Sequence, residues 1–248
     1  TPCGTLFPYT TLFRSADLAP GGHRITANGN GFGIDLHLAP VKPPVPHGEG
    51  GYSRKGKDPA SASCYYSITR LESRGIIRVG SKTFNVSGLS WMDHEFSSAP
   101  LESNLAGWDW FSLQMADGTE LMAYFLRQED GGFSPASSAT FVDAAGTAVH
   151  LPKADLNLRV LNTWTSPKTG AVYPAGWRLT VPALSIDLRV RPNLANQEMQ
   201  TPGTTDVTYW EGSVSVSGVR GDGAAARALS GSGYVELTGY ETKFDAPM

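Results

Sequence analysis

An all-β sandwich or barrel is what this sequence predicts, on three observations. Short segments rich in Val, Ile, Thr, Tyr, Phe and Trp alternate apolar and polar residues with period two. Glycine and proline, 28 and 17 residues, fall between those segments. No stretch of about 12 residues carries helical periodicity.

Taken in order, Phe32, Ile34, Leu36 and Leu38 alternate with Gly33, Asp35 and His37, which gives a half-buried strand ended by Pro40. A proline- and glycine-rich segment from Pro40 to Pro59 interrupts the first group of strands. Ile76 to Val79 and Thr83 to Leu89 flank Gly80-Ser81, a pair suited to a tight hairpin because glycine accepts positive φ. Leu89 to Phe96 continues as strand, and the irregular Ser97 to Ala106 separates it from the Trp108 strand as a domain boundary. Phe111 to Met115 and Glu120 to Leu126 flank a second turn at Asp117-Gly118. Leu184, Ile186, Leu188 and Val190 alternate with Ser185, Asp187, Arg189 and Arg191, and Val214, Val216, Val235 and Leu237 close the chain in the same style. Ala224 to Ala226 lies in glycine-rich sequence, so at most one short helix is expected.

Residues 1–15 are set aside, because TLFPYTTLFRS from Thr5 to Ser15 reads as translated sequencing-adapter sequence. It lacks the basic start, apolar stretch and small-residue cleavage site of a signal peptide, and the native start is expected upstream. Cys3 goes with it, leaving Cys64 alone, so neither a disulfide nor a cysteine zinc site forms within one chain. No apolar run approaches the ~18 residues of a membrane span. A net charge of −3 and a pI near 5.9 argue against a general nucleic-acid binder. Small molecules or proteins are the expected partners.

Gly88 to Arg127 is the segment richest in chemistry, with three tryptophans among aspartates, glutamates and a histidine. On a strand, Trp91, Asp93 and Glu95 share one face, and Met92, His94 and Phe96 share the other. If the first face meets a cavity, the two carboxylates perturb one another; if it meets solvent, Met92 and Phe96 form the core side. In the next strand Trp108, Trp110, Ser112 and Gln114 oppose Asp109, Phe111, Leu113 and Met115. Such two-sided apolar strands suit a barrel around a greasy ligand and a packed sandwich equally. Tyr209, Trp210 and Glu211 pose the same choice. Buried Trp and Tyr need hydrogen-bond partners, so Asp93, Glu198 and Glu211 have a structural reading beside the catalytic one.

Other chemistries fall away. Gly51 to Asp58 approximates a phosphate-binding loop, but Asp58 replaces the hydroxyl for magnesium and Pro59 follows. No G-x-S-x-G elbow and no H-E-x-x-H pair is present. Asp93, His94 and Glu95 alternate in direction and make no metal site. No metal or cofactor is called for.

HGEGGYSRKG (His47 to Gly56), SCYYSITRL (Ser63 to Leu71), GLSWMDHEF, GWDWFSLQMADGTELMAYFLR, the Trp164 to Ala183 segment, NQEM, YWEG and GYVELTGY together resemble the lipocalin-like family that includes carotenoid 1,2-hydratase and the AttH-like predicted secreted hydrolases. The WMDHEF sequence is more similar to the AttH-like branch. The resemblance implies two lipocalin-like antiparallel β-barrels packed together: residues 16–102 as the later part of a first, incomplete barrel and 103–248 as a second. It implies export to the periplasm or medium, and an apolar isoprenoid or polyketide-like ligand walled by Tyr65, Tyr66, Trp91, Trp108 and Trp110, with Tyr209 and Glu211. It also implies that Asp93, supported by Glu95 or His94, protonates a carbon–carbon double bond. Aromatic faces then stabilise the cation and water captures it. A hydro-lyase of the carotenoid 1,2-hydratase type is one expectation. A non-catalytic exported carrier associated with a transporter is the other.

Overall fold

The computed structural model describes residues 13–19, 21–97, 101–201 and 207–244. Its first sheet contains β1 (Phe13–Ala19), β2 (Gly22–Gly29), β3 (Phe32–Pro40), β4 (Val45–Pro46), β5 (Tyr52–Arg54), β6 (Ala62–Val79) and β7 (Lys82–Phe96). The order is β1-β2-β3-β6-β4, with β5 and β7 also pairing with β6. The second contains β8 (Leu105–Met115), β9 (Glu120–Gln128), β10 (Ser138–Val142), β11 (Ala148–Pro152), β12 (Asn157–Thr165), β13 (Val172–Val181), β14 (Ile186–Pro192), β15 (Glu198–Gln200), β16 (Thr208–Arg220) and β17 (Arg227–Thr238). Its order is β11-β10-β9-β8-β17-β16-β14-β13-β12, with β15 on β16. The architecture is all-β, as the alternation predicts.

Residues 1–12 of the adapter-like run lie outside the described residues, and β1 begins at Phe13, where Phe13, Arg14 and Ser15 pair with Asn28, Ala27 and Thr26. Gly80 takes φ 57° in the two-residue turn between β6 and β7, which is why glycine stands there. Among the described residues there is no α-helix, only 3-10 turns at Lys153–Asp155, Pro182–Leu184 and Gly223–Ala225. Leu184 is a correction to the strand expected around it. Pro182 opens a turn and Ser185 closes it at φ 49°, so β14 starts at Ile186.

By compactness the chain divides into residues up to Pro44 with Ile68–Met92, and Val45–Ser67 with Asp93 onward. The first unit has a small core of Leu38, Ile68 and Leu71, against which Ile25, Leu36 and Met92 pack.

The second unit holds the large core. Alternation sends Phe111, Leu113 and Met115 of β8, Phe125 of β9, Trp177 of β13 and Trp210 of β16 to the inner face, where all are fully buried. Phe111 meets Phe125 and Trp177 edge-on, at centroid distances of 6.1 and 5.5 Å. The interior is thus filled by aromatic rings, each worth a few kcal/mol of burial, on the order of 3–5 if truncated.

Two polar latches tie this unit's turns. Ser166, Thr169 and Tyr173 donate to Glu198 at 2.6, 2.6 and 3.1 Å. Burial alone would raise the Glu198 carboxyl, but these three donors hold it below its usual range. Its role is structural. Asp109 lies on the inner face of β8, fully buried, with Arg127 and the Tyr240 hydroxyl each 2.9 Å from Oδ1. The Arg127 guanidinium also stacks on the Tyr240 ring at 3.7 Å.

Candidate active site

The outer face of the second sheet is what Val45–Ser67 and Asp93–Ser97 cover. Trp108, Trp110, Tyr124, Leu126, Thr140 and Glu236 point to this side, one residue out of phase with the core positions. Each covering segment contributes polar groups. The loop HGEGGYS turns sharply after His47: Gly48 has φ 67°, and a Cβ there would collide with the Tyr52 carbonyl oxygen. Only glycine lets the chain double back and leave His47 buried.

On β6, Ser63, Tyr65 and Ser67 alternate onto one buried face while Cys64 is exposed. They meet the carboxylates of β7. Tyr65 donates to Asp93 Oδ1 at 2.8 Å and the Ser67 hydroxyl donates to the same oxygen. Ser63 donates to Glu95 Oε1 at 2.5 Å, and Lys55 pairs with that oxygen at 2.8 Å. Behind these groups, Trp110 Nε1 donates to the Tyr65 hydroxyl at 3.0 Å, and His47 Nε2 lies 2.7 Å from Ser67 Oγ. His47 Nδ1 lies 2.9 Å from Thr140 Oγ1. Burial, with the Lys55 and His150 charges, pushes the His47 imidazole down to about 3, so it is neutral. Burial, then the Asp93 and Glu95 charges, raises the Tyr65 phenol well above the tyrosine range and keeps it a donor.

A cavity of about 320 Å³ opens beside these groups, lined by Trp108, Trp110, Tyr124 and Leu126 on the sheet side and by Lys55, Ser63 and Glu95 among those opposite. That is the lower end of the range for small-molecule sites. Lys55 sits 3.8 Å above the Tyr124 ring, a cation held over an aromatic face at the cavity wall. A second hollow of about 240 Å³ lies against the other side of Trp108, lined by Tyr209, Glu211, Glu236 and Phe244. Trp108 Nε1 donates to Glu236 Oε1 at 2.9 Å. Glu236 stands directly opposite Glu211 across β16 and β17. Burial, then the facing Glu211 charge, pushes Glu236 up to about 7. Glu211 is raised by burial against hydrogen bonds from Tyr209 and Tyr234.

The residues singled out in the sequence therefore separate. Asp93, Glu95, Tyr65 and Trp110 come together, Trp108 divides the two hollows, and Tyr209 and Glu211 belong to the second one. His94 points away from Asp93 and Glu95 and stacks on Tyr66 with centroids 5.1 Å apart. Trp91 is half-buried and belongs to the first compact unit. Asp93 itself is exposed. Seven groups of the site went unsingled in the sequence: His47, Lys55, Ser63, Ser67, Tyr124, Thr140 and Glu236. The serines at two-residue spacing around Tyr65 and the alternation of Tyr234, Glu236 and Thr238 were the available signals. Among the described residues no three of His, Cys, Asp and Glu gather as a metal-ligand set, and no helix is long and apolar enough to cross a membrane.

A family model described as AttH-like matches residues 10–240. The chain belongs to the AttH-like family. Among solved structures, this AttH-like chain is similar to an AttH-type protein of Nitrosomonas europaea, with 34% identity and a TM-score of 0.78 over 88% of this chain and 65% of that one. Kievitone hydratase of Nectria haematococca shares the fold at 18% identity, with a TM-score of 0.71 over 90% of this chain and 65% of that one. CghA shares it at 11% identity, with a TM-score of 0.56 over 90% and 66%. The AttH-like chain thus spans slightly less than two thirds of the length of these structures, and its fold is lipocalin-like. None of the curated protein sequences matches it.

Proposed function

We propose that this AttH-like chain binds an apolar small molecule, of isoprenoid or polyketide type, in the 320 Å³ cavity, and that Asp93 performs acid–base hydration of a carbon–carbon double bond there. One observation carries the reading: an aromatic-walled cavity is lined by Glu95, which Ser63 and Lys55 hold, and Asp93 lies two residues earlier on the same strand, bonded to Tyr65 beneath the cavity-lining Trp110. Asp93 gives a proton to one alkene carbon, and the other becomes a tertiary cation. The faces of Trp110, Trp108 and Tyr124 stabilise that cation through their quadrupoles. Water adds to the cation and its extra proton returns to the carboxylate, so the net change is addition of one water. The hydratase name among the similar folds agrees with this chemistry.

A second reading is an exported carrier that hands such a ligand to a transporter without turning it over. The exposure of Asp93 favours it, because solvent around the carboxylate supplies none of the desolvation on which an acid role draws.

Exposure of the protein to isoprenoid and polyene extracts, followed by mass spectrometry, separates the two. Hydration gives products heavier by one water, reduced at least ~100-fold in Asp93→Asn while ligand is still retained. Ligand retained unchanged by both proteins sinks the catalytic reading and leaves the carrier.

A further inference from the structure

We propose that His47 is a positioning residue for Asp93: as the Nε2–H tautomer it holds Ser67, and through Ser67 it fixes Asp93 Oδ1. Its bearing on proton transfer rests on the acid–base role proposed above; the hydrogen-bond directions do not.

The directions follow from counting hydrogens. A serine hydroxyl has one hydrogen. Ser67 gives its hydrogen to Asp93 Oδ1, so towards His47 Nε2, 2.7 Å away, it only accepts. Nε2 therefore carries the imidazole hydrogen. Nδ1 then has a lone pair, and the Thr140 hydroxyl at 2.9 Å donates to it. The neutral state set by burial is the one this arrangement needs.

A parallel chain runs through Tyr65. An indole N–H only donates, so Trp110 Nε1 gives to the Tyr65 oxygen at 3.0 Å and the phenol hydrogen goes to Oδ1 at 2.8 Å. Each hydroxyl on Oδ1 is thus backed by a ring N–H, which polarises it and strengthens its bond to the carboxylate. A proton placed on Oδ1 would displace one of these donors. His47 touches no ligand in this scheme. It is fully buried, and its Nδ1 is held by Thr140 of β10, 93 residues away in sequence.

Nitrogen-15 NMR of histidine-labelled protein tests this with no ligand present. His47 is expected as a single Nε2–H tautomer, unchanged across about pH 5 to 8. Asp93→Leu, at an exposed position, frees the Ser67 hydrogen to point at Nε2, and the Nδ1–H population should rise at least ~10-fold. In a Ser67→Ala background the same substitution should leave the tautomer where it was. A wild-type Nδ1–H tautomer, an imidazolium, or a tautomer indifferent to Asp93→Leu overturns the proposal. Loss of hydration activity as a whole would sink the acid–base reading while leaving these NMR outcomes intact, so the two failures are distinguishable.

Discussion

The two faces of β8 carry aspartate chemistry and tryptophan chemistry under opposite conditions. On the inner face Asp109, Phe111, Leu113 and Met115 are sealed from water, and Asp109 is closed off by Arg127 and Tyr240. On the outer face Trp108 and Trp110 are half-buried, commit their N–H groups to Glu236 and Tyr65, and leave their ring faces to cavities. The inner face is packed solid and supplies stability. The outer face keeps room beside polar groups, which is what binding and proton transfer require. With the interior filled in this way, the ligand proposed above is held on the outside of the sheet.

The largest expected effect lies on the inner face. Burial pushes Asp109 up to about 6, against the pull of Arg127 and Tyr240. Asp109→Ala removes the partner from Arg127 and should cost about 3–5 kcal/mol, as breaking a buried pair does. Urea unfolding measures it, and a loss under about 1 kcal/mol would mean the latch does not hold the sheet. On the outer face the effect is smaller and depends on pH. Glu236 sits at about 7 in the folded protein against an ordinary value of 4.5, so the folded state binds the proton more tightly than the unfolded state. Stability should therefore fall as pH rises from about 4.5 to 7 and level off above it. Glu236→Gln should reduce that slope, leaving the shares of Asp109 and Glu211, and gain about 2 kcal/mol at pH 8. An unchanged slope would place the proton elsewhere.

Much of the fold was legible because alternation fixes faces. The phase of Trp108 and Trp110 against Asp109 and Phe111 can be read from the sequence, as can the common face of Asp93 and Glu95. Which face is inner cannot, since both are apolar, and it was decided by Trp177 and Trp210 arriving from distant strands. The site was legible only where its parts are local. Ser67 lies 26 residues from Asp93, Thr140 lies 93 from His47, and Glu236 lies 128 from Trp108. No periodicity spans such separations. Tyr65 and Tyr66 are chemically alike, and only the pairing of β6 tells that the first meets Asp93 and the second His94. Glu198, for which the sequence left a structural reading beside the catalytic one, is a latch, and its three donors also lie 25 to 32 residues away.

The placement of the ligand outside the filled sheet is tested most directly by photolabelling with an isoprenoid alcohol that carries a diazirine, followed by peptide mapping. Labels on Trp108, Trp110, Tyr124 and Leu126, competed away by the unlabelled alcohol, are the predicted result. Labels on Phe111, Phe125 or Trp177 would put the ligand among the inner rings and contradict it.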